Sequence, residues 1–174
     1  HAMSRRQRQM CIRDRFYDGI TTAEIQEILI RSASDLISLD NPNYQYVAAR
    51  LLLYAIRKSL YGRLWELPHL YDHITDCIER DVYDSDILVK YTREEIETLN
   101  DIIDHGRDFI FTYAGLRQVA DKYLVQDRSS GKVYETPQFM YLLIAMTIFA
   151  DYPQETRLDY VTRYYTAISK HRIN

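Results

Sequence analysis

Cysteine, glycine, proline and tryptophan are all scarce in this sequence of 174 residues, which has 2 Cys, 5 Gly, 4 Pro and 1 Trp. Two cysteines, Cys11 and Cys77, cannot build a disulfide framework or a four-cysteine zinc site, so the chain reads as a reduced, cytoplasmic protein. So little glycine and proline gives poor punctuation for a sandwich, a barrel or a glycine-rich nucleotide fold. No stretch of 18 apolar residues occurs, and the mean hydropathy is -0.37, so no transmembrane helix and no membrane partner are expected. The N-terminus lacks the apolar core of a signal peptide. Neither sign of charge dominates: 22 Lys+Arg stand against 25 Asp+Glu, a net charge of -3, which argues against a polybasic nucleic-acid binder. No Walker loop, dinucleotide fingerprint or Gly-x-Ser-x-Gly is present.

What is present is a 47% hydrophobic chain with 16 Tyr, enough apolar material for a core and too much for disorder. Tyrosine suits helix faces that are half buried or meet another surface. Residues 1–15 differ from the rest, with five Arg against one Asp, and read as a basic head or a cloning scar. The remaining sequence reads as helices. Thr21-Thr-Ala-Glu24 has capping-box spacing and opens the first, with Ile25, Ile28, Leu29, Ser32, Leu36 and Ile37 on one face. Asp40-Asn-Pro42 separates it from a second helix over 43–61, whose expected stripe is Tyr46, Val47, Arg50, Leu51, Tyr54 and Ala55. There Arg57 and Lys58 favour the helix dipole, and Gly62 caps the end. Pro68 opens a third helix carrying Leu70, Ile74 and Cys77. Thr92-Arg-Glu-Glu95 is a second capping box. One β-hairpin is expected near 123–135, around the loop 127–131. Thr136-Pro137 starts an apolar helix over 139–150, hydrophobic all round and therefore central, and a last helix spans about 155–169. The fold class is all-α, a multi-helix orthogonal bundle with one small hairpin.

Three constellations invite chemical readings. His69 and His73 lie one helical turn apart near Asp72, Asp76 and Glu79, a spacing able to hold zinc. A metalloprotease needs Glu after the first His, whereas Leu70 stands there, and a solvated helix face is the simpler reading. Glu66-Leu-Pro-His69 is half of a di-iron pattern without its second copy. Asp104-His-Gly-Arg-Asp108 has the groups for acid–base work but no neighbouring nucleophile, which fits caps and ion pairs. Cys77 reads as a small buried hydrophobe. No catalytic residue and no metal ligand is assigned from these patterns.

A series of ordered stretches resembles the large, catalytic subunit of class I ribonucleotide reductase. They are Phe16-Tyr-Asp-Gly-Ile20 with Thr22, Asn43-Tyr-Gln-Tyr46-Val-Ala-Ala-Arg50, Arg57-Lys58-x-x-Tyr61-Gly62, Leu70-Tyr-Asp-His73, Ile103-Asp-His105, Lys122-Tyr-Leu-Val-Gln126 and Tyr152-Pro-x-Glu-Thr-Arg157. The resemblance implies that 16–62 is the second half of an ATP cone and that 63–174 is the N-terminal helical domain of the large subunit. It implies ATP and dATP as effectors, with Thr22 and Lys58 as vestigial contacts; a hydroxyl at a helix start and an ammonium suit phosphate. Gln26 and Ala55 stand where some family members have histidines. It further implies a parent enzyme that reduces ribonucleotides to deoxyribonucleotides, while this piece, without the barrel and its radical cysteines, is expected to be non-catalytic. Expected partners are the catalytic barrel and the small radical-generating subunit, with a homodimer through an exposed interface also open. The rival readings are a free-standing nucleotide-responsive regulatory or docking module and, third, a metal-dependent helical enzyme using His69 and His73.

Overall fold

The computed structural model describes residues 15–173. Within them the chain is all-α apart from one two-stranded antiparallel hairpin, as the sequence predicts. The elements are α1 (Thr22–Ser34), α2 (Tyr44–Tyr61), α3 (Leu70–Glu79), α4 (Asp86–Lys90), α5 (Arg93–Asn100), a 3-10 helix (His105–Ile110) and α6 (Tyr113–Lys122). They continue with β1 (Gln126–Asp127), β2 (Lys132–Val133), α7 (Pro137–Ile148) and α8 (Gln154–Ser169). The basic head and Cys11 lie within residues 1–15, all but the last of which are outside the described residues.

The chain divides into two compact units. The first holds residues up to 56 together with 109–118, and the second holds 57–108 and 119–174. In the first unit, α1 begins at the expected capping box. The Thr21 hydroxyl accepts from the Glu24 amide at 3.2 Å, and the Glu24 carboxylate accepts from the Thr21 amide at 2.8 Å. The helix ends earlier than its apolar spacing suggests. The Ser34 hydroxyl takes the Arg31 carbonyl at 2.8 Å, and the next amides bond three residues back, from Leu36 to Ala33 and from Ile37 to Ser34. Ile30 and Ala33 are buried, while Leu29 and Ile37 of the expected face are exposed.

The α2 stripe is also rotated from the expected one. Ala48, Ala49, Leu52, Leu53 and Ile56 are buried, whereas Tyr46, Val47 and Tyr54 are exposed. Apolar residues nearly encircle this helix, so spacing alone does not choose a face. Gly62 closes the helix with φ +73 and donates its amide to the Lys58 carbonyl at 2.9 Å, a left-handed position that suits glycine.

In the second unit α3 packs on α5, α7 packs on α8, and α5 also touches α8. The third helix starts at Leu70 rather than Pro68. His69 is its N-cap, accepting from the Tyr71 amide, and the Leu70 amide donates to the Asn100 side chain at 2.9 Å. Thr136 occupies the N-cap position of α7 but makes no capping bond; Pro137 starts the helix. Nine of the twelve α7 residues are buried, in line with its all-round hydrophobicity. The hairpin strands are two residues each, paired Gln126 to Val133 and Asp127 to Lys132, shorter than the sequence suggests. Asp127 spends its side chain on the turn, accepting from Ser129 and Ser130.

Two buried ion pairs join these elements. Glu95, already the N3 carboxylate of the second capping box, receives a two-pronged contact from Arg157, whose guanidinium also lies 4.5 Å above the Tyr91 ring. Tyr91 in turn donates to the Met146 carbonyl of α7 at 2.7 Å. The second pair is Arg57 with Asp108 at 2.7 Å, both 1% exposed. Arg57 also donates to the carbonyls of Leu64 and His105, and Asp108 accepts from Gln138 at 2.9 Å. Gln138 accepts from Tyr165 at 2.8 Å, and Tyr165 accepts from the Asp104 amide. Arg57, read from the sequence as a helix-end cation favouring the dipole, is thus a core residue.

Removing one member of a buried pair strands the other. Arg57→Leu should therefore destabilise the chain by about 3–5 kcal/mol in urea unfolding, and Arg57→Leu/Asp108→Leu should recover a substantial part of that loss. A single variant as stable as the parent would show that the pair is not structural.

Candidate functional site

The two residues singled out for effector contact lie in different units. Thr22 is exposed in the first turn of α1, next to Thr21, which is the actual cap. The N-terminal donors of this helix are partly engaged, because Thr21 gives both its amide and its hydroxyl to Glu24. Those bonds, led by the backbone one, hold the Glu24 carboxyl below its ordinary range. Glu24 also accepts from Tyr17 at 2.8 Å. Beside this helix, in the first unit, lies a cavity of about 220 Å3 lined by Arg15, Tyr17, Ile20, Glu24 and Arg31 among others. Arg15, from the cavity wall, also contacts Ser32 and Asp35, each at 3.4 Å. The side-chain amide nitrogen of Gln26 is buried without a hydrogen-bond partner. Lys58 is half-buried in the last turn of α2, next to the locked Arg57.

The histidine pair does not act as one face. His69 is partly exposed and meets Glu97 at 2.9 Å, while His73 is 3% exposed in the core of the second unit. Among the described residues, no group of three or more His, Cys, Asp or Glu side chains converges as for a metal ion. His73 instead stacks on Phe139, with ring centroids 4.2 Å apart, and sits in a buried polar relay. Tyr83 donates to Glu135, so its oxygen is left to accept from Nε2–H of His73 at 3.1 Å. Nδ1 then accepts from the Tyr61 hydroxyl at 3.4 Å. The Val125 amide donates to the other oxygen of Glu135 at 2.8 Å.

This chain of donors requires a neutral imidazole, and the surroundings agree. Burial pushes His73 down to about 4, and burial with the nearby Arg57 pushes His105 down to about 4 as well. Burial raises Glu135 and Asp108, against the hydrogen bonds of Tyr83 and Val125 to the first and of Arg57 and Gln138 to the second. Cys77 is buried next to His73, with its thiol raised to about 11 by burial, so it has no thiolate character.

The polar run 104–108 resolves into structural contacts. Asp104 caps the Gly106 amide and pairs with Arg107 at 3.2 Å, Arg107 reaches Ser169, and Asp108 joins Arg57. Sequence reading missed Tyr83, Gln138 and Glu135, whose partners are distant in the chain: Tyr83 and Glu135 are 52 residues apart across one hydrogen bond, and Gln138 is 30 residues from Asp108 and 27 from Tyr165. The signal within reach was Arg57, one turn beyond Leu53 on the buried row.

Two families match the chain. The ATP cone domain covers residues 6–59, and the ribonucleotide reductase all-alpha domain covers 109–174. The first match enters the basic head, beginning ten residues before position 16. An ATP cone followed by this helical domain defines the class of ribonucleotide reductase large subunits. Ribonucleoside-diphosphate reductase 1 subunit alpha of Escherichia coli K12 is 49% identical over 159 residues, which is 91% of this chain and 21% of that protein. The Haemophilus influenzae alpha subunit is likewise 49% identical over 159 residues, with the same coverage. The alpha subunit of Enterobacteria phage T4 is 46% identical over 157 residues, 90% of this chain and 21% of the relative. The chain belongs to this family and corresponds to the N-terminal region of the ribonucleoside-diphosphate reductase alpha subunit, spanning about 21% of the relatives' length.

A histidine whose folded value lies below its unfolded one stabilises the fold above the unfolded value, and that contribution is lost as pH falls. Between pH 6.5 and about 4 the unfolded chain takes up protons at His73 and His105 that the folded chain refuses. The raised carboxyls of Asp108 and Glu135 act with the opposite sign. A His73→Asn variant should therefore lose stability less steeply over this window, by up to about 1.4 kcal/mol per pH unit, in urea titrations at successive pH values. Equal slopes would show that His73 titrates at its ordinary value.

Proposed function

We propose that the chain is the non-catalytic N-terminal region of an enzyme that reduces ribonucleoside diphosphates to deoxyribonucleotides for DNA synthesis. The observation that carries this reading is the order of the two family matches, cone then helical domain, in a chain nearly half identical to the alpha subunits. In this reading ATP and dATP are effectors of the parent enzyme. Its partners are the catalytic barrel of the same subunit and the small radical-generating subunit, in the cytoplasm. No helix among the described residues is long and apolar enough to cross a membrane.

Thr22 and Lys58 are assigned as effector contacts by their family positions. The exposed hydroxyl in the first turn of α1 and the ammonium in the last turn of α2 are chemically suited to phosphate. The engagement of Thr21 by Glu24 leaves fewer free donors at that helix start, and only weak binding is expected. The second reading, a free-standing regulatory or docking module, requires tight effector binding by these residues alone.

Calorimetric titration with ATP and dATP separates the two. Weak heats that Lys58→Ala abolishes, with no turnover of CDP when the small subunit and thioredoxin are supplied, are the expected outcome. Submillimolar affinity would favour the free-standing module, and turnover by the chain alone would overturn the non-catalytic assignment.

A further inference from the structure

The second unit contains a cavity of about 560 Å3 between α4 and α7, lined on its apolar side by Ile87, Tyr91, Met140, Leu143 and Ile144. It continues outward along α7. Ile144 and Ile148, one turn apart on the same face, are 37% and 49% exposed, although this helix is hydrophobic on every side. A helix of that kind is ordinarily covered all round. Here one stripe is uncovered, and the bare stripe and the cavity form one surface. The polar groups along it are unevenly signed. Asp84, Asp86 and Glu135 line it against, among the described residues, a single cation, Lys90, which is itself tied to Asp151. The relatives are nearly five times as long as the portion matched here, so most of the subunit's own chain is available to cover this surface.

Resting on the family reading above, we propose that this groove is a docking site for another part of the same alpha subunit. The occupant is a segment that inserts Leu, Ile or Phe side chains between α4 and α7 and places a Lys or Arg against Asp84 and Asp86. The apolar wall supplies most of the contact, and the acidic edge fixes which way the segment runs. Tyr83 and Glu135, at the floor, join the site to the buried relay, so filling the groove also shields that relay from water.

The test uses Ile144→Cys and, as an independent reporter, Ile148→Cys, each with Cys11→Ser. Each variant is made in the free chain and in a full-length chimera carrying these residues on the rest of the Escherichia coli alpha subunit. Maleimide labelling should be rapid in the free chain and at least tenfold slower in the chimera. A photo-crosslinking residue at 144 of the chimera should join to a segment holding an aliphatic or aromatic residue beside a Lys or Arg. Equal labelling rates, or a crosslink to α7 of a second copy, would overturn the proposal. Turnover of CDP by the chimera reports on the family reading separately, so an active chimera that labels rapidly at 144 refutes the docking alone.

Discussion

The contact between Arg57 and Asp108 is the constraint on which the second unit is built. A guanidinium with five donors and a carboxylate with two acceptor oxygens, both out of water, are tolerable only when nearly every valence is used. Here the pair gathers the end of α2, the loop at Leu64, the 3-10 helix, Gln138 of α7 and, through Gln138, Tyr165 of α8. None of these segments can shift without uncovering a charge. The Glu95–Arg157 pair does the same for α5 and α8, and Glu95 couples the tertiary contact to the cap of its own helix. Burial pushes that carboxyl up, but Arg157 and the Thr92 amide outweigh it, and the net shift is downward.

The abundance of tyrosine acquires a physical meaning in this setting. Tyr83, Tyr91 and Tyr165 each place a ring in an apolar layer while the hydroxyl completes a hydrogen bond to another element. Tyr61 and Tyr83 flank His73 and fix its tautomer. Phenylalanine would fill the same volumes and leave Glu135 and the Met146 carbonyl without these donors. Other tyrosines are divided between surface and core: Tyr46, Tyr54 and Tyr123 are exposed, whereas Tyr141 is buried.

Much of the fold was legible because its signals are local. Both capping boxes, the proline at the start of α7, the glycine after α2 and the turn after Asp127 each act within four or five residues. Family membership was legible for a different reason, since ordered short stretches add up over the chain. Helix faces were less legible. In α2, apolar side chains on most of the circumference leave the period without a preferred direction, and the sequence-based stripe is rotated from the buried one. The candidate site divides the same way. Thr22 and Lys58 follow from position within the family, whereas the burial of Arg57 and the neutral state of His73 depend on residues tens of positions away.

The amino-acid sequence by itself determined that this chain is helical, where most helices start, and to which family it belongs, because caps, breakers and residue identity are properties of neighbouring positions. Only the tertiary structure decided which face of each helix is buried, that Arg57 is a core cation and His73 a core base, and that α7 keeps one stripe bare. Those outcomes depend on partners brought together across 48, 51 and 52 residues, where desolvation and hydrogen-bond completion, rather than local spacing, select the arrangement.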